Sequence, residues 1–393
     1  MKSLRVAMIA PPWLPIPPDS YGGIENVLAA LVPALRRLGV EVELFTIGTT
    51  TIRSSKRHWL YKTAQYSTIH RPYYDALPIL ISHQLAALKQ ISRDGKFDII
   101  HDHNPYIGPA ILAYADESLP PILHTLHGPP FTTPDRLNLG IPDNAPMWQQ
   151  FAKLNRVQFL NISHAARNYV PPSFRRRLLE PVHNGIEPSK YKFRASKSDY
   201  FITLARFHPD KGQRQAIKAC RSGGYQLKMA GIVGDMTRPK QVMLELANPQ
   251  SSYRSLIDFQ YFSDHIFPEL DHQIEYVGNV SGTSKINFIN QARALLFPVQ
   301  WEEPFGMAPI EALACGTPVI ATARGALPEI IEHGVNGFLA HSNRELQHYL
   351  KRIGDIDPAA CRRSVEQKFS ATSMAEKYLD RYRTVIRSHT SLG

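Results

Sequence analysis

Cysteine is scarce: Cys220, Cys315 and Cys361 are the only three in 393 residues. Their number is odd and their spacing matches no metal pattern, which argues against a disulfide framework or a zinc–cysteine site and for a reducing compartment. No apolar stretch approaches the roughly 18–20 residues that span a bilayer, so no transmembrane helix is expected. The opening MKSLRVAMIAPPW closes its short apolar run with Pro-Pro-Trp and no small-residue cleavage site, and reads as a first strand, not a signal peptide. Acid is in deficit as well, with 34 Asp and Glu against 45 Lys and Arg, a formal charge of +11. Such a field favours anionic partners. The cations are spread over both halves, and no basic run has the aromatics of a nucleic-acid module, so no nucleic acid is expected. One stretch is lopsided: residues 53–71 hold five Lys/Arg and no acid, with Trp59, Tyr61 and Tyr66 among them. It reads as a solvated basic loop and helix or as a peripheral membrane surface. The location expected is the cytoplasm, with contact at the inner face of the membrane as the open alternative.

What is present is an ordinary globular composition, 43% hydrophobic, on a chain long enough for two domains. LRVAMIA, VEVELFTI, FDIIH and PILHTLH are short, nearly continuous apolar runs, the mark of buried parallel strands. Residues 24–37 place Val27, Leu28, Leu31 and Leu35 on one helical face that stops at Gly39. With VQFLNIS and His183-Asn184-Gly185 these give a first β/α domain over 1–186. The polar, aperiodic EPSKYKFRASKSD (187–199) reads as a linker. YFITLAR, YQLKMAG, IEYVG, ALLFPV and TPVIAT then restart the alternation as a second domain over 200–370. A charged amphipathic helix follows within 371–393 and is expected to pack back on the first domain. The fold class is therefore α/β, two facing Rossmann-like domains, with chemistry expected in loops at the carboxyl ends of the strands, in the cleft between them.

Four loops carry candidates. In YGGIENV (21–27), Gly22 and Gly23 precede a helix and allow close backbone approach to an anion, though a plain turn has the same composition and GxGxxG is absent. IIHDHN and HTLHG supply His101, His103, His124 and His127, one pair per strand end. These are read as buried histidines, cleft ligands or, least of all, a metal site. ARFHPDKGQ brackets a turn with Arg206 and Lys211, an exposed basic turn or a grip for a diphosphate. In WEEPFGMAPIEALACGTPVI, Pro309 confines the helix start to residues 306–309. Glu303 then lies in the loop before that helix and Glu311 about one turn inside it. Helix-dipole stabilisation, worth about 0.3–1 kcal/mol, is the plain explanation. A grip on the hydroxyls of two sugars flanking a diphosphate is the functional one.

The segment Glu303-Pro304-Phe305-Gly306, then Glu311-Ala312, Ala314 and Gly316-Thr317-Pro318-Val319, resembles the signature of the family 4 retaining glycosyltransferases of GT-B fold. Supporting pieces fall in order: YGGIE at 21–25, FDIIHDH at 97–103, Thr125 to His127, HNGIE at 183–187, Arg206 to Gly212 and IEYVGNVS at 274–281. The resemblance implies a hexosyl transfer from a UDP- or GDP-sugar to an acceptor hydroxyl, with no cofactor and no metal. It implies Glu303 on the donor sugar, Glu311 on the ribose, Arg206 and Lys211 on the diphosphate, and His127 near the reacting centre. Gly22, Gly23, Gly278, Phe305 and Gly306 would line the donor with backbone. His101, His103 and Asn184 are acceptor-side candidates; the acceptor is a sugar, a lipid-linked sugar or a small molecule, and residues 129–147 of the acceptor loops carry no motif. Two departures stand out. The lead into the motif, Pro298 to Glu303, is one residue longer than usual, and Glu303, adjacent to Pro-Phe-Gly, is read as the motif glutamate over Glu302; Glu187 replaces the usual Asp. Retention without an enzymic nucleophile implies front-face substitution, the leaving diphosphate accepting the acceptor's proton. Three rivals remain. A metal-dependent transferase would have to use Asp355-Ile-Asp357, which reads as a helix start. The others are a nucleotide-sugar epimerase of the same architecture and a non-enzymatic sugar-binding protein.

Overall fold

The computed structural model describes residues 3–19, 22–68, 73–105, 107–128, 132, 143–153, 155–168, 170 and 172–390. Tyr21, Arg71 and residues 129–131 and 133–142, named above, lie outside them. The chain forms two units: Met1–Pro18, Gly22–Gly185 and Ala371–Gly393 make one, and Asp19–Tyr21 with Ile186–Ser370 the other.

The first unit is built on six strands: β1 (Arg5–Ile9), β2 (Glu41–Thr46), β3 (Lys56–Trp59), β4 (Ile99–Asp102), β5 (Ile122–Leu126) and β6 (Val157–Asn161). They lie in the order β3-β2-β1-β4-β5-β6, every pair parallel. Val6, Ala7, Met8 and Ile9 are fully buried, as continuous apolar strands must be when helices cover both faces. The helix Gly23–Arg37 turns Val27, Leu28, Leu31 and Leu35 inward and ends in Arg36 and Arg37, whose charges suit the helix C-terminus.

The last helix, Ala371–Thr390, belongs to this unit. Tyr378 and Tyr382 are buried completely. The Tyr382 hydroxyl lies 2.7 Å from His101 Nδ1, and the Tyr378 hydroxyl 3.2 Å from Thr125 Oγ1. The backbone N–H of Gly185 meets Met374 Sδ at 3.1 Å.

In the basic stretch the structure differs from the loop and helix expected. Residues 56–59 form β3, an edge strand paired from Glu43↔Lys56 to Thr46↔Trp59. His58 fixes it, stacking on Phe45 at 4.6 Å and reaching Glu43 Oε2 at 2.7 Å. Cations on such a strand also oppose edge-to-edge pairing with other chains.

The second unit holds β7 (Tyr200–Leu204), β8 (Gln226–Ala230), β9 (Ile274–Gly278), β10 (Ala294–Phe297), β11 (Val319–Thr322) and β12 (Gly337–Ala340). Their order is β12-β11-β10-β7-β8-β9, again wholly parallel. Counted from its own first strand this repeats the order of the first sheet, and both match the doubly wound dinucleotide-binding arrangement. Strand order reverses between β1 and β4 in one unit and between β7 and β10 in the other. Residues 187–199 are bonded into the second unit. Lys197 Nζ donates to Thr317 Oγ1 at 2.9 Å and to the carbonyls of Asn290 and Cys315 at 3.1 and 3.2 Å. Burial lowers its pKa to about 8. Asp357 accepts from the N–H of Ala359 at 2.8 Å and caps the helix Pro358–Lys368. All three cysteines are buried thiols.

Two glycines separate backbone conformation from crowding. Gly212 and Gly224 have φ of 71° and 70°. A Cβ on Gly224 would meet nothing within 4 Å, whereas one on Gly212 would lie 1.9 Å from the carbonyl oxygen of Pro298, where the loops after β7 and β10 touch. Gly224→Ala should therefore lower stability by roughly 1–2 kcal/mol, the left-handed penalty alone. Gly212→Ala should cost at least about twice that, because the loops must part. Urea melts of both variants decide it; equal losses would mean the contact yields freely.

Candidate active site

Each sheet reversal gathers loops at one end of its sheet, where ligands of such folds bind. In the second unit the loop after β7 carries Arg206 and Lys211, and the loop after β10 carries Glu303. Lys211 Nζ donates to Glu303 Oε2 at 2.7 Å, both side chains largely buried. Trp301 Nε1 donates to the same oxygen at 2.8 Å, and the Lys211 ammonium sits over the Trp301 ring, 4.6 Å from its centroid. Trp301 thus holds both members of the pair, by its N–H and by its π face. Among the described residues Glu303 Oε1 has no hydrogen-bond partner.

The choice between neighbouring glutamates has a geometric basis. Glu302 Oε2 accepts the N–H of Gly325 at 2.5 Å, while the carbonyl of Glu303 accepts that of Ala326 at 2.8 Å. Gly325 is pressed so close that a Cβ would come within 2.2 Å of the Glu303 carbonyl oxygen. Glu302 is therefore a loop fastener, and Glu303 carries the carboxylate that meets Lys211.

Arg206 is 37% exposed and held loosely, its Nη1 donating to Asp258 Oδ2 at 3.4 Å. Asp210, between the two cations in sequence, has its pKa lowered by a hydrogen bond from His208, with Lys211 and Arg206 adding attraction. The 209–212 turn is braced by Gln300, whose N–H donates to the Asp210 carbonyl at 2.8 Å.

The helix Met307–Ala314 starts at Gly306, where φ is 117°. Glu311 is fixed by more than a helix dipole. It is 5% exposed, and its Oε1 accepts from Lys285 Nζ at 2.6 Å and from the Tyr191 hydroxyl at 3.0 Å. Burial, then the Glu311 charge, raise the Tyr191 pKa well above 10.0. Phe305 is buried and packs its ring 5.9 Å from that of Phe369. Gly278 ends β9, and a Cβ there would press on Pro239 Cδ at 2.7 Å, a packing reason for glycine. Lys285, Trp301 and Tyr191 were not singled out in the sequence, where no spacing ties them to the motif.

The first unit brings its histidines together at the ends of β4 and β5. His101 is enclosed completely, with Nδ1 on Tyr382 and Nε2 on Thr125 Oγ1 at 2.8 Å. His103, 4.0 Å from it ring to ring, sets Nδ1 2.8 Å from His127 Nε2. His124 Nδ1 lies 2.6 Å from Asp102 Oδ2. Burial drives His101 and His103 well below 6.5 and His127 to about 3, with repulsion from neighbouring histidines adding. His127 is less buried than His101 and His103, which are closed off completely. Four buried side chains here carry polar atoms without partners among the described residues: His103 Nε2, Asn104 Oδ1, Asn184 Oδ1 and both side-chain polar atoms of Asn161 at the end of β6. Asn161 is a polar residue the sequence reading passed over. At the start of the helix Gly23–Arg37, a Cβ on Gly22 would crowd Pro18 at 2.9 Å, while one on Gly23 would meet nothing within 4 Å. Glu25, two residues on, is buried, which raises its carboxyl to about 7.

Two wholly parallel, doubly wound units in one chain are the architecture of the GT-B fold. Residues 21–190 match the family described as Glycosyltransferase Family 4, and residues 187–360 match glycosyl transferases group 1. The chain belongs to the family 4 glycosyltransferases. It is 24% identical to the D-inositol 3-phosphate glycosyltransferase of Pseudarthrobacter chlorophenolicus over 81% of this chain and 78% of that one. It is 25% identical to the alpha-maltose-1-phosphate synthase of Mycobacterium tuberculosis over 97% of this chain and all of that one. Among solved structures, Anabaena HepE in complex with UDP-glucose superposes with a TM-score of 0.64 at 15% identity, covering 97% of this chain and 100% of that chain.

The titratable groups of the first unit oppose one another in acid. Histidines unfold to a pKa near 6.5, so below that pH the unfolded chain binds protons that folded His101, His103 and His127 refuse. Glu25 works the other way, staying protonated when folded up to about pH 7 while its unfolded carboxyl has ionised above 4.5. Three histidines outweigh one carboxyl, so stability should be full above pH 6.5 and fall as the pH drops from 6.5 toward 5, each histidine contributing up to about 1.4 kcal/mol per pH unit. Glu25→Gln should steepen that fall. Urea midpoints at pH 7.5, 6.5, 5.8 and 5.0 measure it, and a flat profile would show that these imidazoles accept protons in place.

Proposed function

We propose that the protein transfers a hexosyl group from a nucleoside-diphosphate sugar to an acceptor hydroxyl, with retention at the anomeric carbon and without a divalent metal. The observation that carries this is the Lys211–Glu303 pair at the β7/β10 reversal, 2.7 Å apart: a cation suited to phosphate beside a carboxylate suited to hydroxyls. On this reading the donor exchanges the internal pair for its own contacts. Lys211 and Arg206 take the diphosphate, Glu303 turns to sugar hydroxyls, and Glu311 shares the ribose hydroxyls with Lys285. Gly22, Gly23, Gly278, Phe305 and Gly306 offer backbone, and His127 stands near the reacting centre as a neutral imidazole. Charge develops on the leaving phosphate, and preorganised cations there lower the barrier while the phosphate takes the acceptor's proton. UDP is the first nucleotide to try, supported by the likeness to the UDP-glucose-bound Anabaena protein, and GDP the second. The acceptor, a sugar, a lipid-linked sugar or a small molecule, goes to the first unit, where His101, His103 and Asn184 lie. The setting proposed is the cytoplasm, with contact at the inner face of the membrane.

The test begins with nucleotide-sugar binding and hydrolysis by the purified protein, where donor consumed only in the presence of acceptor marks a transferase. Full activity should survive EDTA; loss on chelation with rescue by magnesium or manganese would remove the metal-free mechanism.

The two glutamates should fail differently. Glu311→Gln should weaken the free nucleoside diphosphate by roughly 1.5–3 kcal/mol, a charged hydrogen bond to ribose being lost. Glu303→Gln should leave that affinity intact or tighten it, because Lys211 is released from its partner. Its turnover should drop about a hundredfold or more, since a misplaced sugar forfeits alignment. Calorimetry beside steady-state kinetics reads both. Equal losses of diphosphate affinity would reject the division of labour.

A further inference from the structure

A cavity of about 300 Å³ opens in the first unit where β2 and β3 meet the helix Tyr73–Asp94. That volume is at the lower end of small-molecule sites, which run about 300–1,000 Å³. Its walls are the stacked Phe45–His58 pair, Trp59, Leu60, His83 and Ala86, with Arg57 beside them.

Three observations say what it fits. First, its lining is partly apolar and exposed: Trp59 is 54% and Leu60 50% exposed, adjacent residues at the end of β3. Second, its charge is unbalanced. Arg57 is exposed and has no acidic partner among the described residues. Glu43, on the neighbouring strand β2, is already shared by Arg5 at 2.6 Å and His58 at 2.7 Å. Residues 53–62 hold four Lys/Arg and no Asp or Glu. Third, the cavity lies at the carboxyl end of the sheet, the same end as the histidines. Trp59 closes β3, and His83 Nε2 is 2.8 Å from the carbonyl of Ala10, just past β1. Gln84, the next residue, donates to Asp102 Oδ1 at 3.3 Å at the end of β4.

We propose that this cavity takes the apolar tail of an anionic amphiphile, its phosphate held by Arg57. The inference deepens the assignment of the acceptor to the first unit and rests on that reading for its role in transfer, though not for binding. An acceptor of this class carries its anion and tail away from the hydroxyl that receives the sugar.

The probe is decyl phosphate below its micelle concentration, titrated into the full chain and followed by calorimetry, with decyl maltoside as the uncharged counterpart. Binding should saturate at one per chain and weaken as salt rises. Arg57→Gln should weaken it about tenfold while leaving decyl maltoside unaffected. Ala86→Trp, which fills the cavity from a half-buried position, should abolish it; unchanged UDP affinity and melting temperature show that each variant is folded. Equal binding of the two amphiphiles, or binding unchanged in both variants, overturns the proposal. So does binding seen only with vesicles of anionic phospholipid, which would mark a membrane-facing surface instead. Saturable binding that inhibits transfer competitively with acceptor supports both readings. The same binding without inhibition supports the cavity and removes its part in the acceptor site.

Discussion

A parallel sheet cannot be closed by hairpins. Each strand must be followed by a crossover that returns to the sheet's starting edge, and every loop leaving a strand therefore emerges at the same end. Where strand order reverses, the crossovers part to opposite faces and leave a crevice there. That constraint acts twice in this chain, at β1/β4 and at β7/β10. It decides which residues can meet. Lys211 and Glu303 are 92 positions apart, yet both follow strands that border one reversal, and their side chains touch. His103 and His127 likewise follow neighbouring strands of the other sheet.

The two reversals are electrostatically unlike. In the second unit, charge is kept and neutralised in pairs, Lys211 with Glu303 and Lys285 with Glu311, each within 2.7 Å. Buried ion pairs contribute little net stability against the desolvation of both partners. Their use is positional: the pair members are held in place and can be exchanged for a ligand of matching charges. In the first unit, imidazoles are kept neutral by burial and bonded to hydroxyls and to each other. A neutral imidazole attracts no counter-ion and suits a polar, uncharged hydroxyl. On the proposed reading, the anionic donor lies on the second unit and the acceptor hydroxyl on the first.

What could be read from the sequence follows the range of the interactions. The strands LRVAMIA and TPVIAT and the helix start at Pro309 are local matters of apolar continuity and backbone restriction, and they stand where the residues imply. β3 was not legible, because KRHW has no apolar alternation and is held by His58 across to Phe45 and Glu43. Residues 187–199 look like a linker by composition, yet Tyr191 and Lys197 bind groups more than a hundred positions away. Long-range partners leave no periodic trace. The site divides the same way: loops and residue types could be named, but not that Trp301 underlies Lys211, that Lys285 meets Glu311, or that Tyr382 reaches His101 across 281 residues.

The Lys211–Glu303 pair has a consequence for selectivity on the proposed reading. Lys211 cannot reach a phosphate at full strength while Glu303 holds it, and the Glu303 carboxylate repels any anion that approaches. A diphosphate alone must break the pair and leave a buried carboxylate with only the Trp301 N–H, a costly state. A nucleotide sugar breaks the same pair but brings hydroxyls that satisfy the carboxylate. The sugar therefore repays a cost that the diphosphate by itself cannot, and the complete donor is favoured over the product left after transfer. Binding energy from the phosphates is spent in turning Glu303 toward the hexose, and remote binding energy used to position a reacting centre is how such a site raises turnover and not merely affinity. Product release then follows from the same contact: once the hexose has left, re-forming the Lys211–Glu303 pair helps displace the diphosphate.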